Sequence, residues 1–525
     1  MTAHPNRSSI GNAIRAPLHV VIIGGGIGGL TLAQGLKKSR VSAAVYERDR
    51  TRTDRVQGYR VHINPTGSLA LHECLPAPLF DAFTRTCGKP AEGIRFVTEQ
   101  MKVLLALDGR SAPPRFRGEG VAQHRSVSRI TLRQVLLSGL EDSVHFGKTF
   151  VRYDESPLGR IVAHFEDGST AEGDVLVAAD GGGSRVRRQF LPHAERIDTG
   201  IAAIAGKVFL NDESRRLIAP ELTNALTLAS GNGGYSLFVA LQDIDGAAIN
   251  GIGGNDESAA AGSHFDNSHS YLMWAFGARR EKLGLDGGDI ERMSGEELCS
   301  TALSVMAQRS WDQRFRTLVR LADTDNINAI AIRTSVPIAA WQTQRITLLG
   351  DAIHAMTPYR GIGANVALKD AVRLCRALTM ADRGERPVID AIRDYETEMI
   401  NYGFRAVQTS LHAMNQAVME GRDSIDAVTR RPAHHQPRSA TQTPDVPSHG
   451  RGMMGAQSNW ENGDELPNCF LGRRRLGCSL PCAVRIRTQR SDHVAVTKRH
   501  CQLLHADIAS FPEHKGNSRQ QLRCR

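Results

Sequence analysis

The chain of 525 residues lacks the features that would place it in several large protein classes. Its nine cysteines form neither a disulfide framework nor paired zinc knuckles. Cys74, Cys87, Cys299 and Cys375 are scattered through the main body, and five more lie in the last fifth. No stretch approaches the about 18 consecutive apolar residues needed to cross a bilayer. Met1 to Pro17 carries Arg7 and Arg15 but no apolar core of signal-peptide length. The expectation is a cytoplasmic protein without a membrane span. Nor is positive charge spread along the chain. Residues 421–525 hold 17 Lys and Arg against 9 Asp and Glu, a net +8 of the total +10. The remaining four fifths are close to neutral, which argues against nucleic acid as a partner of the folded part.

What is present is organised around Leu18 to Glu47. The apolar run Leu18-His19-Val20-Val21-Ile22-Ile23 leads into Gly24-Gly25-Gly26-Ile27-Gly28-Gly29. Gly24, Gly26 and Gly29 have the spacing of a dinucleotide-binding turn. The first permits the tight turn, the second lets backbone approach a pyrophosphate, and the third lets the next helix pack close to the strand. Leu30, Leu32, Ala33 and Leu36 then recur at helical spacing, and Val41 to Tyr46 reads as a second buried strand ending at Glu47. A carboxylate about 20 residues past the turn can accept hydrogen bonds from both ribose hydroxyls, and it would repel a 2'-phosphate. The first unit therefore favours FAD or NAD over NADP.

Two later stretches repeat this physics. Asp174 to Arg187 is a buried strand ending in Asp180-Gly181, with Ser184 and Arg187 behind it at a helix start. Arg345 to Leu349 is a short strand followed by Gly350-Asp351-Ala352-Ile353-His354-Ala355-Met356-Thr357-Pro358-Tyr359-Arg360-Gly361-Ile362-Gly363-Ala364-Asn365 and a helix carrying Leu368, Ala371, Leu374 and Leu378. Asp351 can accept a sugar hydroxyl, and Gly361 and Gly363 open a helix whose dipole favours negative charge. His354 is either close to the ligand or a hydrogen-bonded structural histidine. Two arginines stay open on residues alone. Arg60 reaches a phosphate or a nicotinamide donor, or is a solvated loop arginine. Arg129, where a strand gives way to the helix of Leu132 and Leu136, is a phosphate clamp or a surface ion pair. Thr66 is the expected cap of a helix through Leu69 to Leu71.

Between Gly200 and about Arg333 strand-like runs alternate with Gly, Asn and Asp clusters, as expected of a mostly antiparallel sheet laid over a ligand. Helices are expected around Glu297 to Gln308 and Trp311 to Leu321. The fold class is thus α/β: a Rossmann-type domain, an inserted mostly antiparallel sheet that binds substrate, and a disordered tail. The boundaries are a flexible N-terminus 1–17, the nucleotide domain 18–199, the substrate sheet 200–333, a return to the nucleotide domain with C-terminal helices 334–420, and a basic tail 421–525. The tail's composition favours disorder, and resembles sequence not selected to fold, as a shifted reading frame or retained intron would give. Cys478 and Cys482, with His493, His500 and Cys501 nearby, are too irregularly spaced for a metal site.

Together the three glycine and acid stretches resemble the single-component FAD-dependent monooxygenases of the aromatic-hydroxylase type. The match runs from about residue 18 to 415 in the family's order. The resemblance implies FAD contacts from Gly24, Gly26, Gly29, Glu47, Arg60, Arg129, Asp180, Asp351, Pro358, Gly361, Gly363 and Ala364, with NADPH or NADH as co-substrate. It implies hydride transfer to flavin, reaction with dioxygen, and hydroxylation or epoxidation of an aromatic or polyketide-like molecule in secondary metabolism. Ile362 departs from the glutamine that many members carry. The alternatives are a flavin-bound reductase, a halogenase, or a non-catalytic flavoprotein sheltering an unstable intermediate. None of the four tryptophans lies in the Trp-x-Trp-x-Ile-Pro stretch of such halogenases.

Overall fold

A computed structural model describes residues 17–418 except 53, 55–58, 90, 109–117, 245–268 and 286–289. The chain divides into two units, Met1–Glu420 and Gly421–Arg525, and all described residues belong to the first. The expected tail and its cysteines lie outside them.

In chain order, β1 (His19–Ile23), α1 (Ile27–Lys38) and β2 (Ser42–Tyr46) build the first unit, followed by β3 (Arg60–Ile63), α2 (Pro65–Cys74) and α3 (Ala77–Arg85). Next come β4 (Gly93–Thr98), β5 (Val103–Asp108), the short pair β6 (Gly118–Glu119) and β7 (Ala122–Gln123), β8 (Arg125–Ser128), α4 (Arg129–Leu137) and β9 (Val144–His145). A hairpin region β10 (Phe150–Glu155), β11 (Ile161–Phe165) and β12 (Thr170–Gly173) leads to β13 (Val175–Ala178) and α5 (Arg185–Phe190). Then β14 (Arg196–Phe209), α6 (Asp212–Leu217), β15 (Leu226–Gly231), β16 (Tyr235–Gln242), β17 (Tyr271–Arg279), α7 (Gly295–Gln308), α8 (Gln313–Arg320) and β18 (Asn328–Ser335) follow. The chain returns through β19 (Ile346–Leu348), α9 (Asp351–His354), α10 (Gly363–Asp382) and α11 (Val388–Val418).

Five strands form a parallel sheet in the order β19-β13-β1-β2-β9. β1 is sealed because Val20, Val21, Ile22 and Ile23 are all buried, as a parallel strand covered on both faces requires. The order runs outward from β1 to β2 and β9, then resumes at β13 on β1's other side. This reversal opens a crevice at the carboxyl ends of β1 and β13, where open α/β sheets take their ligands.

The second sheet has seven strands in the order β18-β14-β17-β16-β15-β4-β5. It is not built from 200–333 alone. β4 and β5 come from Gly93–Asp108, and β4 joins β15 in parallel, so the sheet is mixed. Alternation gives it two faces. Ala202, Ile204, Val208, Leu237, Val239, Trp274 and Phe276 point to one side and bury against Leu298, Ala302, Phe315 and Leu318 of α7 and α8. Trp311 lies edge-on to Phe276 at 5.3 Å between ring centres. The opposite side presents Ala203, Ala205 and Lys207, register partners of Gly277, Ala275 and Met273, then Ser236, Phe238, Ala240 and Gln242. No helix of this unit's α7–α8 layer covers that side.

One expectation is corrected. Helix α2 is capped by Asn64, whose side chain accepts the Gly67 N–H at 2.9 Å, not by Thr66. Pro65 occupies the first helical position, where its missing N–H costs nothing, and this moves the start two residues earlier.

Candidate functional site

The turn after β1 explains its own glycines. Gly24 has φ +111°, and a Cβ there would lie 2.4 Å from the Ala179 carbonyl oxygen and 2.8 Å from the Asp180 nitrogen. The ends of β1 and β13 thus touch through backbone. A Cβ on Gly29 would lie 2.2 Å from the Gly24 oxygen, so α1 starts as close to its strand as backbone allows. Gly26 is different: its φ is −80°, and a Cβ would meet no protein atom within 4 Å. Nothing in the described protein demands glycine there, so the open space in front of it is the reason for the residue.

Glu47 closes β2 and is buried. Its Oε2 accepts the Gly25 N–H at 2.6 Å and its Oε1 accepts the Asp49 N–H at 3.0 Å. Arg133 completes the group. Its Nε donates to the Gly25 carbonyl at 3.0 Å, and Nη2 lies 3.4 Å from Asp49 and 3.8 Å from Glu47. Sequence reasoning passed over Arg133 for Arg129. The signal was available, since Arg133 lies one helical turn beyond Arg129 on the same face of α4. Arg129 itself is exposed at the first position of α4, with its N–H donating to the Tyr59 carbonyl at 3.2 Å.

Asp180 follows β13. Its Oδ2 accepts the Arg185 N–H at 2.9 Å, while Oδ1 is buried without a hydrogen-bond partner. Burial pushes the Asp180 carboxyl upward, against hydrogen bonds from Ser184 and the α5 backbone. Arg187 then ties this stretch to the third. Its Nη1 donates to the Ala352 carbonyl at 2.7 Å and its Nη2 to the Gly182 carbonyl at 3.1 Å.

The third stretch packs on the first as well. A Cβ on Gly28 would lie 2.4 Å from Leu349 Cδ2 and 3.4 Å from Ala367 Cβ, and one on Gly350 would lie 3.0 Å from Ala367 Cβ. Asp351 and Pro358 are exposed at the mouth, Gly361 has φ +63°, and Gly363 and Ala364 begin α10 with no side-chain cap. Asn365 fastens this start: its Oδ1 accepts the Asn64 N–H at 2.8 Å and its Nδ2 donates to the His62 carbonyl at 2.9 Å.

His354 is fully buried, donating from Nε2 to Asp370 at 2.6 Å. Burial works against its charge and the Asp370 carboxylate more than offsets this, so its pKa is raised. Asp370 also accepts the Gly350 N–H at 2.7 Å and the Tyr402 hydroxyl at 2.6 Å. The histidine is thus part of the support beneath the Gly350–Asp351 turn.

Of the twelve residues expected from the sequence, Gly24, Gly26, Gly29, Glu47, Asp180, Asp351, Pro358, Gly361, Gly363 and Ala364 belong to three stretches that the fold brings into contact. Arg60 lies apart from the glycine turn. Its Nε donates to Ser126 Oγ at 2.7 Å, and Ser126 Oγ donates in turn to Gln242 Oε1 on the side of the seven-stranded sheet away from α7 and α8. Two other contacts join the nucleotide part to that side. The Tyr59 hydroxyl donates to the Ala205 carbonyl at 3.0 Å, and the Tyr359 hydroxyl lies 3.0 Å from where a Cβ on Gly277 would be.

These features fit a bound dinucleotide. Gly26 leaves room for such a ligand, Asp180 Oδ1 is an acceptor it could satisfy, and the starts of α1 and α10, which lack a side-chain cap, offer backbone donors to its negative charge. Among the described residues no cluster of three His, Cys, Asp or Glu is placed to hold a metal, and no helix is long and apolar enough to cross a membrane.

Comparison with known proteins agrees with this geometry. The FAD binding domain family matches residues 306–410, and the NAD(P)-binding Rossmann-like domain family matches residues 22–75. A solved structure from Photorhabdus luminescens, described as a FAD-containing monooxygenase, is 34% identical with a TM-score of 0.65. The match covers 76% of this chain and 98% of that one. The dual O-methyltransferase/FAD-dependent monooxygenase elcB of Phaeosphaeria nodorum is 30% identical over 71% of this chain, which spans only 42% of that protein. The FAD-dependent monooxygenase thnD of Trichoderma harzianum is 26% identical, over 75% of this chain and 92% of its own length.

Proposed function

The chain belongs to the FAD-dependent monooxygenase family, and from that premise we propose that it uses NADPH or NADH and dioxygen to hydroxylate or epoxidise an aromatic or polyketide-like small molecule, in the cytoplasm, as part of secondary metabolism. The observation that carries this reading is the meeting of Gly24–Gly29, Asp180–Arg187 and Gly350–Asn365 in one crevice. FAD, when bound, supplies the chemistry: it takes hydride from the nicotinamide and activates dioxygen for transfer of one oxygen atom.

The protein's part is positioning. In this proposal Gly24, Gly26 and Gly29 admit the pyrophosphate at the start of α1, and Glu47 accepts the adenosine ribose hydroxyls. Asp180 and Asp351 meet the rest of the sugar chain. Arg129, free to swing at the start of α4, balances phosphate charge. Gly363 and Ala364 present backbone N–H groups at the start of α10, where they stabilise negative charge, and Pro358 and Gly361 shape the turn that leads into it. The parallel sheet β19-β13-β1-β2-β9 with α1 and α10 forms the floor. The sheet of 200–333, extended by β4 and β5, forms the roof through the side bearing Ala203, Ala205, Ala275 and Phe238. An apolar roof excludes water from the reacting atoms.

The test is substrate-stimulated NADPH oxidation by FAD-loaded protein, with product mass measured under labelled dioxygen. The reading predicts one labelled oxygen atom in the product. Product formed without oxygen would make the protein a reductase.

A further inference from the structure

Helices α2 and α10 lie side by side and run the same way, away from the nucleotide crevice. At their starts Asn365 Oδ1 accepts the Asn64 N–H at 2.8 Å. Cys74 stands ten residues after Asn64 and Cys375 ten after Asn365, so the helices are in register. Their second meeting point is therefore about 15 Å from the first. There Glu73 and Arg376 pair through two bonds of 2.5 Å, and beneath them the thiols of Cys74 and Cys375 are hydrogen-bonded to each other. Gly35 of α1 makes room for the sulfurs, since a Cβ there would lie 2.8 Å from Cys375 Sγ and 3.0 Å from Cys74 Sγ. Three helices thus close on two thiols, both buried and neither in a disulfide.

The two sulfurs are not equivalent. Their mutual hydrogen bond raises Cys74 well above the usual thiol range and lowers Cys375. The hydroxyls of Ser39 and Thr379 also favour the Cys375 thiolate, against the cost of its burial. Burial instead governs the other two described cysteines, pushing Cys87 up to about 12 and Cys299 upward. Cys74 therefore keeps its proton and donates it, and Cys375 is the sulfur with thiolate character, the form that attacks an oxidant. A thiolate poised beside a second cysteine is the arrangement in which thiol oxidation is reversible. Neither cysteine is among the residues assigned to the nucleotide, so the flavin chemistry leaves the pair unexplained.

We propose that Cys74 and Cys375 are an oxidation site at which hydrogen peroxide forms a reversible disulfide, stapling α2 to α10 behind the nucleotide crevice. In the first step the Cys375 sulfur attacks peroxide: the O–O bond breaks, the sulfur becomes a sulfenic acid and one water leaves. In the second the Cys74 sulfur attacks that sulfenic sulfur: the S–O bond breaks, the S–S bond forms, and a second water carries off the oxygen and the thiol proton. Peroxide gains two electrons and the thiols lose two hydrogens. The oxidant is neutral and little larger than water, and Cys375 keeps 7% of its surface exposed. The monooxygenase reading supplies a local source, because activated dioxygen that meets no substrate is released as peroxide. The bond itself does not depend on that reading. The loop it closes spans most of the described chain, so the unfolded state loses much of its freedom.

The test treats the full, pre-reduced chain with hydrogen peroxide, alkylates the remaining thiols with iodoacetamide during unfolding, and maps the peptides by mass. The inference expects one linked pair, Cys74 with Cys375, short of two hydrogens and reopened by dithiothreitol, while Cys87 and Cys299 are alkylated. The oxidised protein should melt higher by about 5 °C or more. Cys74→Ala lacks the second thiol, so Cys375 should stop at the sulfenic acid and be trapped by dimedone, whereas Cys375→Ala should leave Cys74 alkylated. Peroxide that leaves both cysteines alkylated in the wild type would overturn the inference. So would a disulfide from either one to a cysteine of 421–525, or a linked pair whose melting temperature does not rise. The readout is the state of the thiols and not turnover, so its failure leaves the monooxygenase reading standing. A protein that forms the bond yet takes up no FAD contradicts that reading alone.

Discussion

Arg187 Nη1 donates to the Ala352 carbonyl at 2.7 Å while its Nη2 holds the Gly182 carbonyl at 3.1 Å, so one buried side chain joins two stretches 165 residues apart. Ala352 directly follows Asp351 and Gly182 lies two residues after Asp180, the two acids proposed to meet the dinucleotide. Replacing Arg187 by Met removes the bridge and leaves buried acceptors unpaired, at a cost of about 2–4 kcal/mol. Thermal unfolding should fall accordingly, and FAD should be lost more readily at low concentration. An unchanged melting temperature would mean that the two stretches are held together elsewhere.

Arg133 and Arg129 separate two roles on one helix. The Arg133 side chain is 15% exposed and lies between carboxylates that are 10% and 8% exposed. Arg133→Ala removes the cation beside Glu47 and Asp49, and should destabilise the fold by about 3 kcal/mol while loosening the Gly25 turn. Arg129→Ala, at an exposed position, should change stability by less than about 0.5 kcal/mol and act on FAD affinity alone. Urea unfolding of both variants, with FAD titration, checks the pair.

The pH dependence of stability has a local source. His62 is held down to about 3, first by burial and then by His124 and Arg60. An unfolded histidine titrates near 6.5, so below that pH the unfolded chain takes up a proton that the folded one refuses. The stability contributed by the neutral ring is complete above about 6.5 and drains away as pH falls toward about 3. Between pH 6.5 and 5 the loss is at most about 2 kcal/mol. His62→Asn removes it, so the difference between urea midpoints at pH 7 and pH 5 should shrink. An equal difference in both proteins would contradict this assignment.

Asp370 satisfies three donors, from Gly350, His354 and Tyr402, with no exposure of its own. Asp370→Ala orphans all three and should cost about 3–5 kcal/mol. Asp370→Asn keeps the volume but turns one acceptor into a donor, and should cost less. Circular dichroism melts of the two variants should fall in that order.

Much of this was legible in the chain because the signals are local. The φ of Gly24, the hydrophobic run of β1 and the acid at Glu47 are fixed by neighbours within 25 residues, and a pattern can hold them. The unread parts are contacts across long separations. Nothing near Gly93–Asp108 says that β4 will pair with β15, more than a hundred residues on. Thr66 and Asn64 both satisfy a capping rule, and Pro65 decides between them. Arg133 was passed over because a helix-start arginine is the conspicuous one, although the ions it meets, Glu47 and Asp49, were visible as acids after β2. Arg60 could be placed only once Gln242 was known to stand opposite Ser126.

Gly26 gives the most direct test of the central claim, that these three stretches close around FAD. Unlike Gly24, whose replacement would drive a Cβ into Ala179, Gly26 faces empty space in the described protein. Gly26→Ala should therefore fold and melt like the wild type while meeting the pyrophosphate. The measurement is FAD titration of both proteins, followed by flavin absorbance and tryptophan fluorescence. The account predicts stoichiometric FAD in the wild type and affinity weaker by about 100-fold, or ~2.7 kcal/mol, in a stably folded variant. Equal FAD binding by the two proteins, or none by either, would contradict it.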